Sequence, residues 1–508
     1  MSGIGIILAC WLNGIFALPV AAVDAARQEP RPPVRDEAAV VVIKAGRIYT
    51  VAGEPIEKGI ILIRGGRIEA VGRDVQVPAD AKVIEAADGV VTPGLIDACC
   101  MPDFEIPEAA WRGVYGETRS AWWWTLADRG QRPPLGGQGE GSENEVGAGA
   151  SFAPPPPLAE GSGEGTEREL PPEVPLAAGP TPDVTWAEQA SEVVPHRLVI
   201  DALNLTARDF ARLAKGGVTT VYVSADSASV IGSRGAIVKT AGPLNQRVVR
   251  RADAVKASLG ADPSDRGRSN VLPPSYGPPP TFHTRRPTTR MGVEWVFRKA
   301  FYDVRRARSG LPPYGADTPP AQAVPVLQEV LDGKIPLRIQ ARMQHDIFTA
   351  LRLTGEFKLK FILEEATEAY RCLPQLKEAD IPVVFGPLFM TPSGWRASTG
   401  EATHPRLNSP KQLAEAGIRF ALTAQELRDE EGLVRQGMYA VRNGLSAQQA
   451  LRAITATPAE FLGLAGQLGV VAPGAAADLV IWSTEPFDAT SRPLVVLVDG
   501  RVVHDARE

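Results

Sequence analysis

Val91-Thr92-Pro93-Gly94-Leu95-Ile96-Asp97-Ala98-Cys99-Cys100-Met101 is the stretch on which the reading of this chain turns. Before it, short β-type runs at 40–43, 60–63 and 67–71 are separated by Gly46, Gly53, Gly65-Gly66 and Gly72. After it the pattern changes. Residues 218–223, 336–339, 360–363, 381–385 and 418–423 are short apolar runs, with helical patterns such as 346–357 and 409–416 between them. That alternation predicts parallel α/β units, and over ~250 residues a (β/α)8 barrel of the TIM type is the natural closure. Strands return at 478–482 and 495–498, with turns at Pro473-Gly474 and Asp499-Gly500. An Asp-Gly pair between apolar runs is a strong hairpin signal. Two β-rich ends around an α/β middle predict a small β-sandwich assembled from both.

Bulk composition sets outer bounds. A chain of 508 residues with 44% hydrophobic and 22% charged content can bury a large core. A net charge of −5 gives no basic surface for nucleic acid. Residues 4–23 are almost wholly apolar and are followed by small residues resembling a cleavage site, so 1–25 reads as an export signal. Export would place the protein in the periplasm or outside the cell; without export it would stay cytoplasmic. The cysteines beyond it, Cys99, Cys100 and Cys372, are no disulfide framework. Residues 129–183 are rich in Gly, Pro, Glu and Ser and bury too little apolar area to offset ordering entropy, so they are expected to be disordered. The expected division is signal peptide 1–25, sandwich 26–98, barrel 99–463 carrying the 129–183 insertion, and sandwich again 464–508.

The opening stretch resembles the strand that begins the barrel of the amidohydrolase superfamily, in its imidazolonepropionase-related branch. The resemblance extends through Gly216-Gly217-Val218-Thr219-Thr220-Val221 and Gly386-Pro387-Leu388 to Thr457-Pro458-Ala459 and Ala477-Asp478-Leu479-Val480. It implies a hydrolase of non-peptide carbon–nitrogen bonds, with one or two divalent metals at the C-terminal mouth of the barrel. There the metal lowers the pKa of a bound water and polarises the scissile carbonyl. An aspartate from the last strand moves the proton.

The positions that the resemblance assigns to ligands hold other residues. Cys99 and Met101 stand where strand one has His-x-His. Gln340 and Arg342 stand where strand five has histidines, Glu365 where strand six has one, and Gln425 where strand eight has the aspartate. Glutamine is a weak neutral ligand, and arginine keeps a fixed positive charge where a dication would sit. The leading expectation is therefore a metal-free pseudoenzyme. It would bind a small molecule, or pair as a homo-oligomer or with an active relative. Two alternatives stay open. One is an active hydrolase with zinc or another divalent metal at a site rebuilt from Cys99, Glu365 and Lys239. The other is a purely structural oligomerisation barrel. Lys239, Arg342 and His345 are candidates for a residual pocket. Glu364, Glu365 and Glu368 are expected to pair with Arg338 or Arg342 rather than to act as an acid/base set.

Overall fold

The computed structural model describes residues 40–102, 191–265 without 226, 287, 289–315, 319–388, and 406–507 without 426, 430 and 431. The export signal and the 129–183 insertion lie outside the described residues.

Both chain ends contribute to one seven-stranded sheet. Its strands are β1 (Val41–Ile48), β2 (Ile56–Arg64), β3 (Arg67–Gly72) and β4 (Lys82–Pro93) from the front. The tail contributes β15 (Leu479–Trp482), β16 (Pro493–Val498) and β17 (Arg501–Asp505). The order is β17-β16-β15-β4-β1-β2-β3, so the last strands insert beside β4. Period-two burial drives it: Ile43, Ile61, Ile63, Val91, Ile481 and Leu497 pack in one cluster. Two hairpins use the turn residues that the sequence offers. Gly65-Gly66 and Asp499-Gly500 both take positive φ at each centre, as a type I′ turn requires. The seven strands form one hydrogen-bonded ladder assembled from both ends of the chain.

The chain leaves this sheet at Gly94. A Cβ there would overlap the Thr219 side chain, so only glycine lets the strands approach. β5 (Leu95–Cys100) then pairs in parallel with β6 (Val218–Val223). β7 (Ile231–Arg234), β8 (Ala236–Lys239) and β9 (Val248–Arg250) follow as an antiparallel excursion. β10 (Val255–Ser258), β11 (Leu337–Ala341), β12 (Phe361–Glu365), β13 (Val383–Phe385) and β14 (Phe420–Leu422) are successive parallel neighbours. Helices between them include α1 (Arg208–Lys215), α2 (Leu244–Arg247) and, further on, the helices Arg290–Arg308 and Gln344–Phe357.

This is a mixed α/β fold. Its parallel strands fall into sheets of four and six, with no ladder closing them into one eight-stranded ring among the described residues. The antiparallel β7–β9 excursion occupies chain where further βα units were expected. Side chains bridge the gap: Ala98 and Cys99 of β5 pack against Ile362, Val384 and Ala421 of the larger sheet. Thr423 Oγ1 lies 3.0 Å from the Cys99 carbonyl. No described helix is long and apolar enough to cross a membrane.

Candidate functional site

Side chains from β5, β6 and β10–β14 converge at and below the carboxyl ends of the parallel strands. On β10, Lys256 alternates inward between the buried Val255 and Ala257. Its ammonium pairs with Glu364 of β12, and both are fully buried. Arg338 of β11 donates to the other Glu364 oxygen at 2.5 Å and to the Ala98 carbonyl, and its guanidinium lies 4.0 Å over the Tyr222 ring. Burial pushes the Glu364 carboxyl up, but Lys256 and Arg338 outweigh it and hold the group below its ordinary value.

One turn further out sits a second knot. Arg342 grips Asp262 with two N–H groups, at 2.7 and 2.9 Å, and donates Nε–H to Glu365. Ser227 donates its hydroxyl to Asp262. With its amide turned to satisfy its neighbours, Gln340 presents its oxygen to Arg342, Nη2 at 3.0 Å. Adjacent residues of a strand normally face opposite sides. Glu365 escapes that rule because its φ is +68°. Glu364 can therefore serve Lys256 and Arg338 while Glu365 serves Arg342. Left-handed backbone at a non-glycine residue is unfavourable and needs its surroundings to hold it. Gln425, at φ +52°, does the same at the end of β14.

The corner built by the opening stretch is uncharged except for Asp97. That carboxylate accepts from Thr423 Oγ1 at 2.6 Å and from the Cys99 and Ala424 N–H groups, each at 3.0 Å. Burial raises its pKa despite those bonds. The Cys99 thiol is pushed up to about 12, by burial first and Glu364 second. It stays protonated at neutral pH and accepts weakly from Gln425 Nε2 at 3.5 Å. Met101 is buried beside it, its N–H on the Gln425 carbonyl. Arg428 closes the edge, bound bidentately to Asp209. We expect Cys99 and Cys100 to resist alkylation at pH 8 in the folded protein and to react fully in guanidinium, because the thiolate is the reactive form. Peptide mapping after iodoacetamide checks this; rapid native labelling of Cys99 would contradict the buried thiol.

The structure thus brings Cys99, Met101, Gln340, Arg342, Glu365 and Gln425 into one region and leaves two candidates out. Lys239 lies at the other end, buried against Asp478 and 3.3 Å from Asp499, where it ties β8 to the seven-stranded sheet. It cannot join Cys99 and Glu365 in a rebuilt site. His345 is exposed at the start of its helix and touches Asp346 at 3.3 Å. Of the acidic cluster, Glu364 takes Arg338, Glu365 takes Arg342, and Glu368 accepts from the Gln344 N–H at 2.8 Å. Lys256, Asp262 and Ser227 were missed from sequence. The one available signal was a lysine within Val255-Lys256-Ala257-Ser258, a run that otherwise reads as a buried strand.

Comparison with known proteins bears on the fold. A model of the amidohydrolase family matches residues 416–504. Amidohydrolase tasK of Hapsidospora irregularis is 22% identical over 336 residues, 63% of this chain and 34% of that protein. A dihydroorotase of Geotalea daltonii is 44% identical over 57 residues, 11% of this chain and 13% of that protein. The chain thus matches about a third or less of the length of these curated relatives. A solved amidohydrolase from Thermotoga maritima shares the fold, with TM-score 0.65 and 24% identity over 92% of this chain and 100% of that one. The C-terminal part of the chain is thus similar to the amidohydrolase family, and the fold is that of a solved amidohydrolase.

In this chain the residues at the strand ends do not fit a divalent metal. Three cations, Lys256, Arg338 and Arg342, are matched by three carboxylates, Glu364, Glu365 and Asp262. A dication would need surplus negative charge, and every one of these carboxylates is already engaged. The remaining donors are Asp97, whose carboxylate already accepts three hydrogen bonds, and protonated thiols, a thioether and amides, which are poor partners for a hard ion. Among the described residues no three His, Cys, Asp or Glu side chains group to hold a metal.

Proposed function

We propose that this amidohydrolase-superfamily chain is a pseudoenzyme on a (β/α)8 barrel with a composite β-sandwich, its metal centre replaced by internal ion pairs. The observation that carries the reading is Arg342, whose guanidinium is fully buried on Asp262 and Glu365. A fixed cation there supplies the cross-linking charge of a metal but has no open coordination position to activate water. Gln425, at the position of the aspartate base, cannot accept a proton as a carboxylate would. The protein on this reading binds a small molecule or partners an active relative, and it is exported. Metal analysis of purified protein tests it. The expected result is well under one zinc, iron or manganese per chain, with no chelator-sensitive turnover of amides, dipeptides or lactones. One tightly held ion per chain, or such turnover, would sink the proposal and favour the rebuilt hydrolase site. A binding role further predicts a ligand-induced rise in melting temperature within a metabolite panel, which a purely structural barrel would not give.

A further inference from the structure

Away from the strand ends, a cavity of about 450 Å³ lies between α1 and β17. That size is within the range of small-molecule pockets. One wall is a helical face, Ala207, Phe210, Ala211 and Ala214, spaced to point the same way. Val503 of β17 faces it. The polar lining is two cations, Lys215 and Arg247, with the partly buried His504, whose pKa burial and then Lys215 push down. Arg247 is unlike the other buried arginines. Arg338, Arg342 and Arg428 each hold a carboxylate. Arg247, 6% exposed, donates to the carbonyls of Lys239 at 2.9 Å, Thr240 at 2.7 Å and Leu205. Those bonds engage three of its five N–H groups. No described carboxylate pairs with it, and burial alone lowers its pKa. Its guanidinium stacks 4.6 Å over the Phe210 ring, which fixes the fork at the cavity wall. Lys215 likewise has no described carboxylate partner. The nearby Asp505 is engaged by Arg507, at 2.7 and 2.9 Å.

A buried cation without a counter-charge beside an apolar wall fits a particular ligand chemistry. We propose that this cavity binds small carboxylates with an apolar body, such as aryl or alkyl carboxylates. The carboxylate would take the two remaining Arg247 N–H groups and the Lys215 ammonium, and the hydrocarbon would lie on Phe210 and the alanines. This inference is independent of the pseudoenzyme reading, since the cavity shares no residue with the strand-end site.

The test uses the full purified chain, with benzoate and hexanoate as probes and benzyl alcohol, 1-hexanol and inorganic phosphate as controls. Calorimetric titration should show saturable binding of both carboxylates at affinities on the order of millimolar, as suits ligands this small. The alcohols and phosphate should bind at least about tenfold more weakly, because each lacks half of the recognition. Two substitutions at exposed positions of α1 give the counter-test. Lys215→Glu should weaken benzoate at least about tenfold by placing a like charge beside its carboxylate. Ala211→Trp should abolish binding by filling the cavity, with melting in the absence of probe little changed in both variants. Absence of saturable binding, alcohols or phosphate binding as well as the carboxylates, or unchanged benzoate affinity in both variants would each overturn the assignment.

Discussion

Arg342→Met is expected to lower the free energy of unfolding by about 3–5 kcal/mol, the usual cost of removing one partner from a buried ion pair. Methionine matches the arginine stem in volume and removes only the charge and the fork. It leaves Asp262 and Glu365 facing one another, fully or nearly buried, with no cation between them. Two such carboxylates cannot both ionise, so one must take a proton or the strand ends must separate. Urea unfolding measures the loss as a lower midpoint at unchanged slope. Arg342→Lys should retain part of the stability, since it keeps the charge but not the bidentate grip. A loss below about 1 kcal/mol for the methionine variant would mean that the guanidinium is not the cross-link described here.

Glu364→Gln should cost a similar amount, about 3–5 kcal/mol, for the opposite reason. It leaves Lys256 and Arg338 buried without their shared counter-charge. The pH dependence follows from the direction of the shift. Glu364 titrates below its ordinary value of 4.5 in the folded chain. Its contribution is therefore complete above the unfolded pKa and disappears as pH falls through the folded one. The stability gap between the natural chain and Glu364→Gln should hold from neutrality down to about pH 5 and then close below about pH 4. Asp97 works with the other sign: burial raises it, so its contribution is present in acid and is lost as pH rises through its folded value. Comparing the two chains at each pH cancels that background. Replacing Lys256, Arg338 and Glu364 together by Met, Leu and Leu should recover much of the loss, because apolar packing often matches a buried ion cluster. A gap that widened in acid would contradict the ion-pair assignment.

These knots explain which parts of the molecule were legible in its residues. The β-rich ends declared themselves because apolar runs and Gly-rich turns are local signals, and Asp499-Gly500 specifies its own hairpin. The residue types at Cys99, Met101, Gln340, Glu365 and Gln425 were equally plain, and the resemblance sets them at the positions where it implies metal ligands. What fills the site was not. Lys256 and Asp262 reach Glu364 and Arg342 across 108 and 80 residues, and no periodicity links them. The inward turn of Glu365 depends on a left-handed backbone that glutamate does not advertise. Lys239 misled because its neighbours match a superfamily segment, while its partners, Asp478 and Asp499, come from the far end of the chain.

The seat of β15 between β4 and β16 has a consequence for synthesis of the chain. On the ribosome, β1–β4 emerge hundreds of residues before Leu479–Trp482 exists to cover them. Throughout that interval β4 presents Val90-Val91-Thr92-Pro93 as an open edge, where Leu479–Trp482 will finally pair. Lys239 waits 239 residues for Asp478. The nascent protein must carry a sticky edge and an uncompensated lysine until its last strands arrive, so its vulnerable period is set by translation time rather than by the folding rate of any one element.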